Sequence, residues 1–181
     1  MAVAVSASSS LDFAGYIMSG SPELDSLNSV KYLYLRELSE PRDNSLRIVV
    51  VEAVDIRTAP SPIHPDLPEL AEILKDSWPI ESTASCKSFE LSWKYYVAYL
   101  VTEECVGSCG GYDDEAYTGE LFRVYTKSHF LEHLARDTGA HVEPIQHFKL
   151  ICLNHLIDIA SYAPPEIRMI DPGSPRSPRI Q

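Results

Sequence analysis

Residues 89–101 read FELSWKYYVAYLV. Aromatic and β-branched side chains dominate the run, and neither Gly nor Pro interrupts it, so it reads as one long strand fitted to a half-buried pleated surface. Downstream, Gly119 to Tyr125 (GELFRVY) has the same character and is expected to return antiparallel to it. Upstream, Val30 to Leu38 (VKYLYLREL) and Leu46 to Ile56 (LRIVVVEAVDI) form a second strand pair. The SEPRDNS between them supplies the turn formers Pro41, Asp43 and Asn44, which predicts a hairpin.

Two segments read as helices. Asp66 to Asp76 has Asp66 as a cap, Glu69 three residues on, Pro68 where proline is tolerated, and Leu67, Leu70, Ile73 and Leu74 on one face. Ser128 to Asp137 (SHFLEHLARD) has Ser128 as N-cap, Phe130, Leu131 and Leu134 on one side, and Gly139 beyond the last turn. His147 to Ile159 (HFKLICLNHLIDI) is apolar at odd and even positions alike, which predicts a strand covered on both faces. The resulting order, ββαββαβ, defines an α+β fold: a largely antiparallel sheet of about five strands with two packed helices. This domain is expected over 29–162. Residues 1–28, Ser- and Ala-rich, read as an N-terminal arm. Residues 163–181, with Pro164, Pro165, Pro172, Pro175 and Pro178, read as a Pro-rich tail with disorder expected after about Ile170.

The chain has 181 residues, 26 acidic against 15 basic side chains and a net charge of −11. Such a protein is repelled by nucleic-acid phosphates and anionic lipid unless a local basic patch intervenes, and the sequence has none. No nucleic acid and no membrane are therefore expected as partners. MAVAVSASSS lacks the basic start of an export signal, and the longest apolar runs, Ile48 to Val51 and Leu150 to Leu153, fall far below the roughly 20 residues a membrane helix needs. The expectation is a cytoplasmic protein with reduced thiols at Cys86, Cys105, Cys109 and Cys152.

Three patterns bear on chemistry. His129, Glu132 and His133 spell H-x-x-E-H, in which two histidines four apart on a helix face could hold a metal while the carboxylate activates water. The pattern lacks a third ligand on a later helix, so surface histidines beside a buried Phe130 are the favoured reading. Cys105 and Cys109 could bind zinc or form a disulfide, but no second cysteine pair completes four ligands. His147 and His155, with Lys149 and Ile151, would share one face of a single strand, where histidines satisfied by local hydrogen bonds are the commoner outcome. Cys152, in an apolar run, is expected to have a raised pKa and to be inert. No cofactor is expected.

Residues 100–122, LVTEECVGSCGGYDDEAYTGELF, hold Glu103, Glu104, Asp113, Asp114, Glu115 and Glu120 and no Lys or Arg. With Tyr112 and Tyr117 as aromatic anchors, these acids read as a surface that steers and binds a cationic partner. A solvated hairpin tip and a hard-cation site are the alternatives.

The blocks FELSWKYYVAYLVTEE, GELFRVYTKSHFLEHL and HFKLICLNHLIDIAS, within about 75–160, resemble bacterial α+β immunity partners of polymorphic toxins. The resemblance implies a non-catalytic protein that neutralises a cognate toxin by covering its active site, and the acidic composition fits a basic one. From another class, a metal-dependent hydrolase using His129, Glu132 and His133 is the alternative. An antiparallel sheet with free edges leaves a homodimer open.

Overall fold

The computed structural model describes residues 21–57, 77–106, 114–138 and 145–171. In chain order these form α1 (Pro22–Ser29), β1 (Tyr32–Ser39), β2 (Leu46–Asp55), β3 (Ile80–Glu81), β4 (Ser88–Trp93), β5 (Ala98–Glu103), β6 (Ala116–Thr118), β7 (Phe122–Lys127), α2 (His129–Thr138), β8 (Gln146–Ile151), β9 (His155–Ser161) and β10 (Glu166–Ile170). The fold is α+β, but the expected single sheet is two. One five-stranded antiparallel sheet runs β1-β2-β4-β10 with β3 on β2; the other runs β5-β9-β8-β7-β6. The helix expected over 66–76 lies outside the described residues.

The β1–β2 hairpin forms as the turn residues dictate. Ser45 N–H donates to the Arg42 carbonyl, the Ser45 hydroxyl closes the same turn, and Asn44 takes the left-handed φ of 59° that its short polar side chain tolerates. Alternate positions of the strands then meet in one core. Leu46, Ile48 and Val50 of β2 and Phe89, Leu91 and Trp93 of β4 come from the first sheet; Phe122, Phe148, Leu150, Ile157 and Ile159 come from the second. Phe148 joins them, its ring 6.1 Å from Trp93 and 5.8 Å from Phe122.

The run at 89–101 is two strands in two sheets. After Trp93 the chain turns: Tyr96 N–H donates to the Asn44 carbonyl at 2.9 Å and Val97 N–H to the Ala160 carbonyl at 2.8 Å. β4 pairs with β2 and β10, and β5 with β9, so GELFRVY does not return beside β5. Its strand, β7, lies between β8 and β6. The run at 147–159 is likewise a hairpin, β8–β9, turned at Cys152, Leu153 and Asn154. Leu156 to Ser161 of β9 are all buried, so coverage of both faces is right for that strand.

Both chain ends of the expected domain are extended. β10 lies in the region read as a tail and pairs with β4 from Glu166↔Ser92 to Ile170↔Ser88. α1 lies in the region read as an arm and buries Leu24 and Leu27 in the core. Its last turn is tied down by Asn28, whose Oδ1 accepts the successive amides of Glu120, Leu121 and Phe122 at 3.2, 3.0 and 2.9 Å. Asn28→Ala leaves these three donors without that acceptor and is expected to lower stability by about 2 kcal/mol. Denaturant titration should show it, together with faster hydrogen exchange at Leu121 and Phe122.

Candidate functional site

The acids of 100–122 separate into two groups with different work. Asp114 and Glu115 fold back onto the start of α2. Asp114 accepts from Lys127 Nζ at 3.1 Å and faces His129 Nε2 at 2.7 Å, while Glu115 accepts the His129 backbone N–H at 2.9 Å. Glu115 thereby satisfies one of the free donors at a helix N-terminus, where negative charge is also favoured by the helix dipole. These two acids hold the helix in place. Glu103, Glu104 and Glu120 are exposed, and among the described residues none of them is ion-paired. Their field is felt locally: the carboxylates of Glu103 and Glu104 push the Cys105 thiol up. Tyr117, 37% exposed, packs against Tyr125 and lies under the Arg123 guanidinium, 4.3 Å from its ring centre. Its ring is partly open at the surface. Tyr112, Asp113 and Cys109 lie outside the described residues.

The H-x-x-E-H residues are held by carboxylates. His129 Nδ1 faces Glu132 at 3.2 Å and its Nε2 faces Asp114, whereas His133, on the exposed side of α2, faces Asp137 at 3.4 Å. Among the described residues, no three His, Cys, Asp or Glu side chains converge as a ligand set. The Asp114 and Glu132 hydrogen bonds raise the His129 pKa, and the His129 bond holds the Asp114 carboxyl below its ordinary range. The signs follow. The His129 contribution is present below the ordinary imidazole pKa of about 6.5 and is lost as pH rises through the raised value. The Asp114 contribution is present above the ordinary carboxyl pKa and lost as pH falls through the depressed one. Imidazole proton NMR should show His129 titrating above the ordinary value, with Asp114→Asn moving it back down.

A third cluster joins the start of α2 to the β8–β9 hairpin. Ser128 Oγ lies 2.7 Å from His147 Nδ1, His147 Nε2 lies 2.9 Å from Asp158 Oδ1, and Lys149 Nζ reaches the same oxygen at 3.2 Å. The register of the β8–β9 hairpin places Lys149 opposite Asp158, and His147 lies two residues from Lys149 on the same face. Serine, histidine and aspartate thus form a hydrogen-bonded chain, with the hydroxyl on Nδ1 and the carboxylate on Nε2. Ser128, His147 and Asp158 are 6%, 2% and 7% exposed, and Tyr125 and Phe130 pack their rings on His147. Ser128 Oγ also accepts the Leu131 N–H, as an N-cap does. The chain therefore fastens the N-terminus of α2 to the outer face of the second sheet. Its sequence signal was the one acid in LIDIA, a charge inside an apolar strand that calls for a partner.

His155 is not on the strand of His147. It starts β9, across from Glu103, and its Nδ1 is buried with no hydrogen-bond partner among the described residues. Cys86 and Cys152 are buried free thiols, and burial pushes Cys152 up to about 12, which makes it inert as expected.

Among the described residues, fold and surface define an acidic α+β protein of two antiparallel five-stranded sheets and two helices, with exposed carboxylates that have no ion-pair partner there at one end of β5 and before β7. Compared with known proteins, the chain matches no family model, no curated protein and no solved structure. No helix among the described residues is long and apolar enough to cross a membrane.

Proposed function

We propose that this chain is a non-catalytic binding protein of the immunity type, which neutralises a basic toxin by lying over its active site. The observation that carries the reading is charge distribution. The 28 residues from Tyr95 to Phe122 contain six acids and no Lys or Arg. Glu103, Glu104 and Glu120 among them are exposed and, among the described residues, have no cationic partner. A protein of net charge −11 with such a surface attracts a cationic partner over a Debye length of about 8 Å at physiological salt and speeds its association. The expected cellular location is the cytoplasm, where a toxin must be met before it acts.

Glu103, Glu104 and Glu120 are the ones to change, because Asp114 and Glu115 also hold α2. Capture from the source cells with wild type should retain one basic protein that elutes as salt is raised. The Glu103→Gln, Glu104→Gln, Glu120→Gln variant should bind it about tenfold more weakly. The captured protein, expressed alone, should arrest growth, and co-expression of wild type should restore it. A captured protein that is acidic, or harmless alone, defeats the proposal.

A further inference from the structure

A sheet edge presents a row of unpaired amides and carbonyls, and proteins guard it with Lys, Pro, a bulge, shortness or a cover. Most edges here are guarded. β1 is covered by the β8–β9 turn: the Asn154 side chain takes both the N–H and the carbonyl of Leu35, at 2.9 and 3.1 Å, and Leu153 N–H donates to the Leu33 carbonyl at 2.7 Å. β3 has two residues; β6 has three and slips register against β7. β10 carries Arg168 and is bracketed by Pro164, Pro165 and Pro172.

Among the described residues β5 has none of these devices. Its six residues, AYLVTE, hold no Lys, Arg, Pro or Gly, and their register with β9 is unbroken from Ala98↔Ala160 to Glu103↔His155. Among the described residues no strand pairs with its other side. Leu100 and Val101, on opposite faces of the strand, are 50% and 38% exposed. At one end Tyr95 and Tyr162, both more than half exposed, stack at 6.0 Å; at the other stand Glu103 and Glu104.

We infer that β5 is the edge onto which an extended, basic segment of the partner adds as a further strand of the second sheet. The inference rests on the binding-protein reading and names its interface. Main-chain hydrogen bonds supply affinity in strand addition and alternate side chains supply specificity. Leu100 and Val101 select apolar residues, Tyr95 and Tyr162 offer aromatic area, and Glu103 and Glu104 select Lys or Arg opposite them. A second copy of this chain is the competing occupant. It would bring a charge of −11 against −11, whereas a basic strand relieves that repulsion.

The probe is a short peptide alternating Lys and Val, added to the isotopically labelled full chain, with a Glu–Val counterpart and a version N-methylated on alternate amides. The Lys–Val peptide should shift the amide resonances of 98–103 and slow their hydrogen exchange. The Glu–Val peptide should bind at least about tenfold more weakly. N-methylation of the peptide should abolish binding, as should Thr102→Pro in the protein. Because Thr102→Pro can disturb the fold, Val101→Lys serves as the second variant, its resonances away from β5 unchanged and its peptide affinity reduced. Shifts centred elsewhere, or undiminished binding of the N-methylated peptide, overturn the inference. So does protection of the β5 amides that grows with protein concentration alone, which assigns the edge to a second copy. If Val101→Lys leaves capture of a basic partner from the source cells intact, the edge is refuted while the binding-protein reading stands. If the peptide docks on β5 but no basic partner is captured, the reverse holds.

Discussion

Asp158→Ala is expected to lower the stability of the protein by about 4 kcal/mol, within the range seen when one member of a buried ion pair is removed. The carboxylate accepts from His147 Nε2 at 2.9 Å and Lys149 Nζ at 3.2 Å, and the three side chains are only 10%, 2% and 15% exposed. Deleting it leaves an ammonium and an imidazole N–H desolvated with no acceptor at that site, and such orphaned groups cost more than the pair contributed. The loss reaches further than β8 and β9, because His147 also holds Ser128, the cap of α2. Equilibrium denaturation should give the magnitude, and the amide of Leu131 should exchange faster. Asp158→Asn keeps the shape and one acceptor oxygen and should cost about half as much. Ser128→Ala should cost about 1 kcal/mol, the usual worth of a cap. A loss below about 1 kcal/mol for Asp158→Ala would show that the cluster is not a buried, mutually dependent unit.

Gly119→Ala is expected to cost about 3 kcal/mol, from two causes that add. Gly119 has φ +89°, a conformation that side chains with a Cβ rarely adopt, and a Cβ placed there would clash with the Phe122 carbonyl oxygen. The obstructing atom is backbone, so no rotamer change relieves it. Movement of that turn also displaces the amides of Glu120, Leu121 and Phe122 from Asn28, and so loosens α1 from the second sheet. Denaturant titration should show the loss. The double variant with Asn28→Ala should cost less than the sum of the two single changes, because both act on the same turn.

The elements legible in the sequence were those with punctuation of their own. Pro41, Asp43 and Asn44 marked the β1–β2 turn, and Ser128 marked the start of α2. The corner at 94–97 carries no such mark. Lys94, Tyr95, Tyr96 and Val97 suit a strand as well as their neighbours do, and the chain changes sheets there because Tyr96 and Val97 find acceptors on Asn44 and Ala160, 52 and 63 residues away in sequence. The β8–β9 turn was hidden for a related reason: Cys152 and Leu153 are apolar, and only Asn154 hinted at a break. α1 has just two buried leucines in PELDSLNS, too few to show a helical period. β10 follows two prolines and gains its place only by pairing with β4.

The candidate site divides in the same way. The six acids without a neighbouring cation in sequence were legible at once, and so was the helix bearing His129, Glu132 and His133. That Asp114 and Glu115 are bound to α2 while Glu103, Glu104 and Glu120 have no ion-pair partner among the described residues was not, because Asp114 finds its partners 13 and 15 residues away, on β7 and α2.

By itself the sequence determined the α+β class, the acidic character, the β1–β2 hairpin and the capped helix α2, since each depends on composition or on residues within a few positions of one another. Only the tertiary structure decided that there are two sheets, that β10 joins one of them and α1 packs into their core, that Ser128, His147, Asp158 and Lys149 meet, and that no described strand pairs with the outer side of β5. These features depend on which strand lies beside which, and that is set by the packing of Trp93, Phe122 and Phe148 in a shared core, which no local pattern encodes.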